Sequence, residues 1–424
     1  MPAGTAGGTD HGCPTVSVVM PSRNQAGYLE SAVVSVLSQD VTALDLCVAD
    51  GASTDETPQR LARLAQRFGR RLRWQSEPDS GPAQAVNRAL ARSRGEIIGW
   101  LNADDCYAPG AIQSAVDFFA AHPAAVMVYG EAEHIDAAGK PLGRYPTRLP
   151  EETLSGFQAG CFICQPTVFL RRSVFAQVGT LDEGLATAFD FDLWLRIFQQ
   201  FPGRIGYVDR VQAYSRLHAG CITRTQRRLV AEEAVRLLAR YLGRAQDHWL
   251  RTYVNEALAS YPFGDVRGAI QEHVAEFVAG LAGYLEPAAA HQLRQDLQTD
   301  ARLCLARTGI AVDVYPDGWA PRDLELRMAG QSVPQRALRL HCQHAWPFAA
   351  SLELVLGPSW AAASRMRIAA PGPFIIEIPL ADVPPGADVT VRITADRVFV
   401  PRLFRADHDD GRGLAFIVRG LELV

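Results

Sequence analysis

Hydrophobic and polar positions along this chain pass through three textures, and each predicts a different kind of structure. In the first half, short apolar runs alternate with helical patterns. Residues 16–20, 44–49, 71–75 and 97–101 predict strands, while residues 28–37 and 60–68 predict helices between them. A third helix carries Ala85, Val86, Ala89 and Leu90 inward. Turn chemistry marks its limits, with Ser80 and Pro82 at the start and Gly95 at the end, just as Ser53, Thr54 and Asp55 precede Pro58 in the helix before it. The run from Ile97 to Leu101 is apolar at nearly every position, which suits a strand buried on both faces of a parallel sheet. Further strand signals at residues 126–129, 167–170, 204–208 and 211–215 accompany a helix over residues 191–200. This alternation predicts an α/β fold, a mostly parallel sheet flanked by helices.

From residue 226 to 307 the pattern is almost wholly helical, broken at Pro262 and Pro287. Between residues 315 and 424 it changes to period-two alternation at 324–328, 338–340, 351–356, 374–380, 389–394 and 414–418, with turn residues such as Pro384, Pro385 and Gly386 between. That spacing predicts a small antiparallel β-sandwich. The expected organisation is a flexible N-terminus over 1–14, an α/β domain over 15–225, a helical connector over 226–312 and a β-sandwich module over 313–424.

Composition narrows the partners. A chain of 424 residues that is 48% hydrophobic can bury a substantial core, and its net charge of -4 gives no broad attraction for nucleic acid. No apolar stretch approaches the roughly 20 residues needed to span a bilayer, and Met1 to Pro14 has neither a basic start nor a hydrophobic centre. A cytoplasmic protein is expected, with peripheral association at the inner face of the plasma membrane left open; the oligomeric state is not legible. The eight cysteines mostly sit in apolar runs, like small core residues in a reducing compartment. Cys161 and Cys164 have metal or redox spacing, but no second pair follows at finger distance.

The sharpest chemical signal is where the 97–101 run meets Asn102, Ala103, Asp104 and Asp105. In open α/β sheets ligands collect beyond the carboxyl ends of strands. Adjacent carboxylates there repel one another unless a cation lies between them, and hard divalent ions take such oxygens. The competing reading is a polar turn that caps the next helix. Asp50 ends another predicted strand, and Asp79 lies in the loop after a third, where it lines the same crevice or belongs to a plain proline turn.

Four ordered segments together resemble family 2 glycosyltransferases of the GT-A fold: residues 16–24, ending Pro21-Ser22-Arg23-Asn24; residues 48–55, around Asp50; residues 76–81, with Asp79; and Asn102 to Asp105. The resemblance continues through Gln165, Gly179, Leu181 to Glu183 and Asp190 to Arg196, and fades after His218. It implies an inverting transferase that moves a sugar from a nucleotide-diphosphate donor, a UDP-sugar favoured, to a hydroxyl of a glycan or lipid-linked acceptor in cell-surface polysaccharide biosynthesis. It further implies donor contacts from Pro21, Ser22, Asn24, Asp50, Asp79, Arg88, Asn102, Asp104 and Arg216, and a divalent cation, Mn2+ or Mg2+, on Asp104, Asp105 and His218. Asp190 matches the catalytic base, with helix N-capping as its alternative role. Two departures stand out: Asn102 replaces the first aspartate of the commoner Asp-x-Asp, and Phe189 precedes Asp190 where glutamate is frequent. They motivate a second reading, a glycan-binding scaffold that keeps the fold without turnover. Residues 399–418 resemble, more loosely, small β-modules appended to some bacterial polysaccharide glycosyltransferases, with Trp319, Trp346 and Trp360 as a sugar-stacking surface or as core.

Overall fold

The computed structural model describes residues 15–151, 153–260, 269–299, 310–312, 314–315, 319–328, 336–348, 350–384, 386–401 and 412–424. The expected flexible segment 1–14 lies outside them. The chain divides into two compact units, Met1–Ala245 and Gln246–Val424.

The first unit runs β1 (Val16–Ser22), α1 (Leu29–Leu37), β2 (Leu44–Asp50), α2 (Thr57–Phe68), β3 (Leu72–Ser76), α3 (Pro82–Arg92), β4 (Ile97–Trp100), β5 (Cys106–Tyr107), α4 (Ala111–Ala121), β6 (Met127–Ile135), β7 (Pro141–Arg144), β8 (Phe169–Arg171), α5 (Val174–Val178), α6 (Phe189–Gln200), β9 (Ile205–Arg216), α7 (Ile222–Thr225) and α8 (Arg227–Leu242). Its sheet has the order β3-β2-β1-β4-β8-β6-β9-β5, with β7 on β6. The first four strands are parallel, β8 is antiparallel to both neighbours, and β6 and β9 are again parallel. Every residue of β1 is buried, as a central strand covered on both faces requires. Pro21 is tolerated there because the ladder to β4 stops at Val19 opposite Trp100, before the missing N–H would be needed. Leu29, Ala32, Val33, Val36 and Leu37 of α1 recur at helical spacing and join the core formed by Val18, Leu46, Ile97 and Phe119.

Differences from the sequence reading have local causes. The two strands expected at 204–208 and 211–215 are one continuous β9; exposed Asp209 and Arg210 interrupt the apolar pattern where the register against β6 shifts. Helix α6 begins at Phe189, two residues earlier than the periodicity indicates. Strand β7 buries no side chain and so leaves no alternation to detect.

In the second unit, α9 (His248–Ser260), α10 (Ala269–Leu281) and α11 (Pro287–Thr299) precede the β-strands. Pro287 occupies the first position of α11, where its missing N–H has no intrahelical role; Pro262 lies outside the described residues. Strands β10 (Ile310–Val312), β11 (Asp323–Met328), β12 (Ala337–His344), β13 (Leu352–Pro358), β14 (Ser364–Ile368), β15 (Gly372–Pro379), β16 (Val389–Ala395) and β17 (Ile417–Leu423) form two antiparallel sheets, β10-β11-β16-β13-β14 and β15-β12-β17. Alternation produces them: Leu324, Leu326 and Met328 are buried while Asp323 and Arg327 are exposed. Trp346 is buried and donates its indole N–H to the Leu414 carbonyl, and Trp319 and Trp360 pack against the same core. Helix α8, which follows the 226 limit drawn from composition, belongs to the first unit. Among the described residues, no helix is long and apolar enough to cross a membrane.

Candidate active site

Strand β4 delivers the acidic loop. After Trp100 the chain turns, with the Asp105 N–H donating to the Asn102 carbonyl, and the turn sends the two aspartates in different directions. Asp104 is partly exposed, and its Oδ2 lies 3.0 Å from Nε2 of His218. Asp105 is 4% exposed and points inward: Oδ1 accepts the Arg216 N–H at 2.8 Å and Oδ2 accepts the Asn102 amide at 3.4 Å. Burial, and then the neighbouring Asp104, push the Asp105 carboxyl well above the usual range, while the Arg216 N–H restrains that rise. Asn102 is also fully engaged. Its Oδ1 accepts the Trp100 indole N–H at 3.1 Å, and its amide donates to Gln165, which donates in turn to the Trp100 carbonyl.

The end of β9 supplies the opposite wall. Arg216 is buried, and its guanidinium donates to the carbonyls of Asp104, Asp136 and Ala137 with its Cζ 5.0 Å from the centre of the Tyr28 ring. Arg216, expected as a donor contact, directs its guanidinium N–H groups to the carbonyls that hold the acidic loop and the turn after β6. The expected ion-binding set also differs. Ligand atoms of Asp104, His218 and Cys221 lie within 4.8 Å of one another, and Asp105 is absent from that group. Sequence spacing gave no reason to choose Cys221. It enters because the chain turns after His218, whose N–H meets the Cys221 sulfur at 3.2 Å. The thiol donates to the Arg216 carbonyl, and burial raises its pKa, so it stays protonated.

A second cluster forms beyond β1 and β2. Asp50 is 2% exposed and accepts from the Ser53 N–H, the Ser53 hydroxyl and the Ser76 hydroxyl. Asn24, at φ +53°, accepts the Thr54 N–H on its side chain, and the Asn24 N–H donates to Ser53 Oγ, which ties the loop after β1 to the loop after β2. Asp79 lies against Gly51, where an added Cβ would collide with its carboxylate, and Oδ1 accepts the Gly81 N–H. Arg88 donates to the Pro78 carbonyl at 2.7 Å. Ser22 pairs with Asp50 in the strand register, and its Oγ is buried with no hydrogen-bond partner among the described residues. Pro21 precedes it at the strand end. Tyr28, in the segment between β1 and α1, places its ring 4.8 Å from that of His218.

Asp190 stands in the first turn of α6. Desolvation raises its carboxyl to about 6, and the Phe191 N–H, donating to Oδ1 at 2.7 Å, holds back the rise. Its surroundings are Tyr145, Cys161 and Cys164, whose own ionisation its charge opposes. Burial lifts Cys161 to about 12 and Cys164 well above the usual thiol range, so both thiols stay protonated. Asp105 acts on Cys164 as well, so the acidic loop and Asp190 flank the same residue. Asp192 is structural: it accepts from Arg196 and from the Tyr241 hydroxyl. A residue the sequence reading did not single out, Glu233 of α8, accepts from Ala186, Thr187 and Ala188, directly ahead of α6.

Residues 17–179 match glycosyl transferase family 2. An uncharacterized glycosyltransferase of Rickettsia conorii is 30% identical over 216 residues, 48% of this chain and 34% of that protein. Chondroitin synthase of Escherichia coli is 28% identical over 194 residues, covering 45% of this chain and 27% of the synthase, and hyaluronan synthase of Pasteurella multocida is 27% identical over 212 residues, covering 49% and 21%. The aligned stretch thus spans about a third or less of these three relatives. Among solved structures, S. aureus TarS 1–349 in complex with UDP superposes with a TM-score of 0.47 at 19% identity, over 70% of this chain and 87% of that one. Residues 17–179 thus carry a glycosyl transferase family 2 domain, which lies within the mixed α/β first unit together with the acidic loop at the end of β4.

Proposed function

We propose that the first unit transfers a sugar from a nucleotide-diphosphate donor, with a UDP-sugar the first to test, to a hydroxyl of a glycan or lipid-linked acceptor, with inversion at the anomeric carbon. The observation that carries this reading is Asp190, a carboxyl raised to about 6 in the first turn of α6 and sharing Cys164 as a neighbour with the acidic loop. A base with that pKa is mostly ionised near neutral pH yet still takes a proton readily. Asp190 would remove the proton of the acceptor hydroxyl as its oxygen forms a bond to the anomeric carbon. The bond from that carbon to the diphosphate breaks on the opposite face, and the nucleoside diphosphate leaves. A single base on the face opposite the leaving group gives inversion.

Asp104 and His218 suit a divalent cation such as Mn2+ or Mg2+, since one offers a hard oxygen and the other an imidazole nitrogen 3.0 Å away. When bound, such an ion supplies Lewis-acid stabilisation of the departing diphosphate. Ser22 supports a donor at the β1 end, because a buried hydroxyl without a partner is unfavourable until something fills it. Asp50, Asn24 and Asp79 shape that end of the crevice. Relatives named as chondroitin and hyaluronan synthases favour a growing glycan as the acceptor; the inner face of the plasma membrane is where a lipid-linked one would be met.

One observation favours the scaffold reading: Asn102, Asp105 and Arg216 bind one another and the loop backbone. The test is a panel of sugar nucleotides scored by thermal shift with and without Mn2+, followed by detection of released nucleoside diphosphate in acceptor mixtures. Donor-specific stabilisation with turnover supports the transferase; binding with no cleavage of any donor supports the scaffold.

A further inference from the structure

We infer that Glu233 is the positioning residue for Asp190, a role that rests on Asp190 acting as the base. Helix α6 has no side-chain cap of its own: Ala188 occupies the N-cap position and has no side-chain acceptor. The carboxylate of Glu233, 45 residues downstream of Ala188 on α8, instead binds the N-cap residue and the two residues ahead of it. Oε1 accepts the Ala186 N–H at 2.9 Å. Oε2 accepts the Thr187 N–H at 2.9 Å, the Thr187 hydroxyl at 2.7 Å and the Ala188 N–H at 2.8 Å. All four partners are donors, so the group binds them as an ionised carboxylate, the form best stabilised at a helix N-terminus.

The consequence falls on Asp190 because only Phe189 separates it from this clamp. Its Oδ1 is oriented by the Phe191 N–H in the same turn. Loss of the clamp frees three backbone N–H groups and loosens the turn that aims the base. About two turns further along α8, Tyr241 donates to Asp192 of α6, so α8 meets α6 and the segment ahead of it through two buried carboxylates, one from each helix. Tyr241 and Asp192 anchor the helix pair, whereas Glu233 anchors the segment that leads into Asp190.

The test compares Glu233→Gln with Asp190→Asn in the full chain. Glutamine keeps the shape but faces an amide N–H₂ toward donors. Hydrogen exchange of amides 186–191 should accelerate in Glu233→Gln, kcat should fall about ten-fold or more, and donor Kd should stay within about two-fold of wild type. In an Asp190→Asn background the same substitution should remove no further activity, because the residue acts through the base. Tyr241→Phe, which loosens the helix pair without touching the clamp, should leave kcat near wild type. Loss of activity in Asp190→Asn with wild-type kcat and unchanged exchange in Glu233→Gln overturns the inference alone. Wild-type turnover in Asp190→Asn overturns the reading beneath it and the inference together.

Discussion

Asp104 Oδ2 and His218 Nε2 lie 3.0 Å apart across 114 residues of chain, the carboxylate brought by β4 and the imidazole by the turn after β9. If a divalent ion binds between them, Asp104→Ala and His218→Ala each remove one of its ligands. Each should weaken donor binding in Mn2+ by about ten-fold, close to 1.4 kcal/mol. The double variant should lose much less than the sum, since the second ligand has nothing left to complete. Calorimetric titration of the donor with and without Mn2+ checks this, and equal affinities in all four proteins would remove the ion from the proposal.

Asp190 ties activity and stability to pH in opposite senses. A base must be ionised to accept a proton, so kcat should fall as pH drops through about 6. The folded carboxyl titrates near 6 and the unfolded one near 3.8, so between those values the native chain keeps a proton that the unfolded chain releases. Its contribution to stability therefore decreases as pH rises through that window and is least favourable above it. Asp190→Asn should abolish transfer, leave donor affinity near wild type, and stabilise the fold at pH 7. The gain is at most about 3 kcal/mol, from about 1.4 kcal/mol per pKa unit, and smaller because Asp190 keeps some contact with water. Denaturant melts at pH 4 and pH 7 give the sign directly: wild type and variant should differ less at pH 4.

Much of this architecture was legible because the signals were local. Full burial of β1 and the apolar run of β4 follow from their sequences, and strand ends mark where Asp50 and Asp104 emerge. Side-chain direction was not legible. Asp104 and Asp105 are adjacent and chemically identical, yet one faces His218 and the other is drawn inward by the Arg216 N–H. Nothing in a linear pattern says which. Glu233 escaped for a similar reason: on a helix rich in charged residues it resembles any solvated carboxylate, and only the packing of α8 against the 186–188 segment gives it partners.

Asn102 departs from the usual Asp-x-Asp, and the intuitive repair is Asn102→Asp. The hydrogen bonds argue against it. Its amide donates to Asp105 and Gln165, and an aspartate has no donor to offer either. The added charge would also face the buried Asp105 carboxylate. Asn102→Asp should therefore destabilise the first unit by about 1–3 kcal/mol without strengthening the response to Mn2+. Asn102→Ala, which removes the donor without adding charge, should be the milder change. Thermal unfolding with and without Mn2+ decides the matter, and a more stable, more ion-responsive Asn102→Asp would show that the loop rearranges to admit a third carboxylate.

Gly51 and Ala52 are adjacent, yet the small exchanges between alanine and glycine should act in opposite directions. Ala52 sits at φ +54°, a left-handed conformation that costs an L-residue about 1–2 kcal/mol. Ala52→Gly relieves that strain but gives up about 0.5–1 kcal/mol of chain entropy, leaving a net gain of up to about 1 kcal/mol. Gly51→Ala places a methyl group where the Asp79 carboxylate now lies, with Asp79 held in place by the Gly81 N–H. That overpacking should cost about 1–3 kcal/mol and displace Asp79. If Asp79 lines the donor crevice, Gly51→Ala should weaken donor binding several-fold more than Ala52→Gly does. Unfolding midpoints and donor Kd for the two variants separate the effects. A Gly51→Ala protein that melts lower yet binds donor as well as wild type would take Asp79 out of the donor site while leaving the steric argument intact.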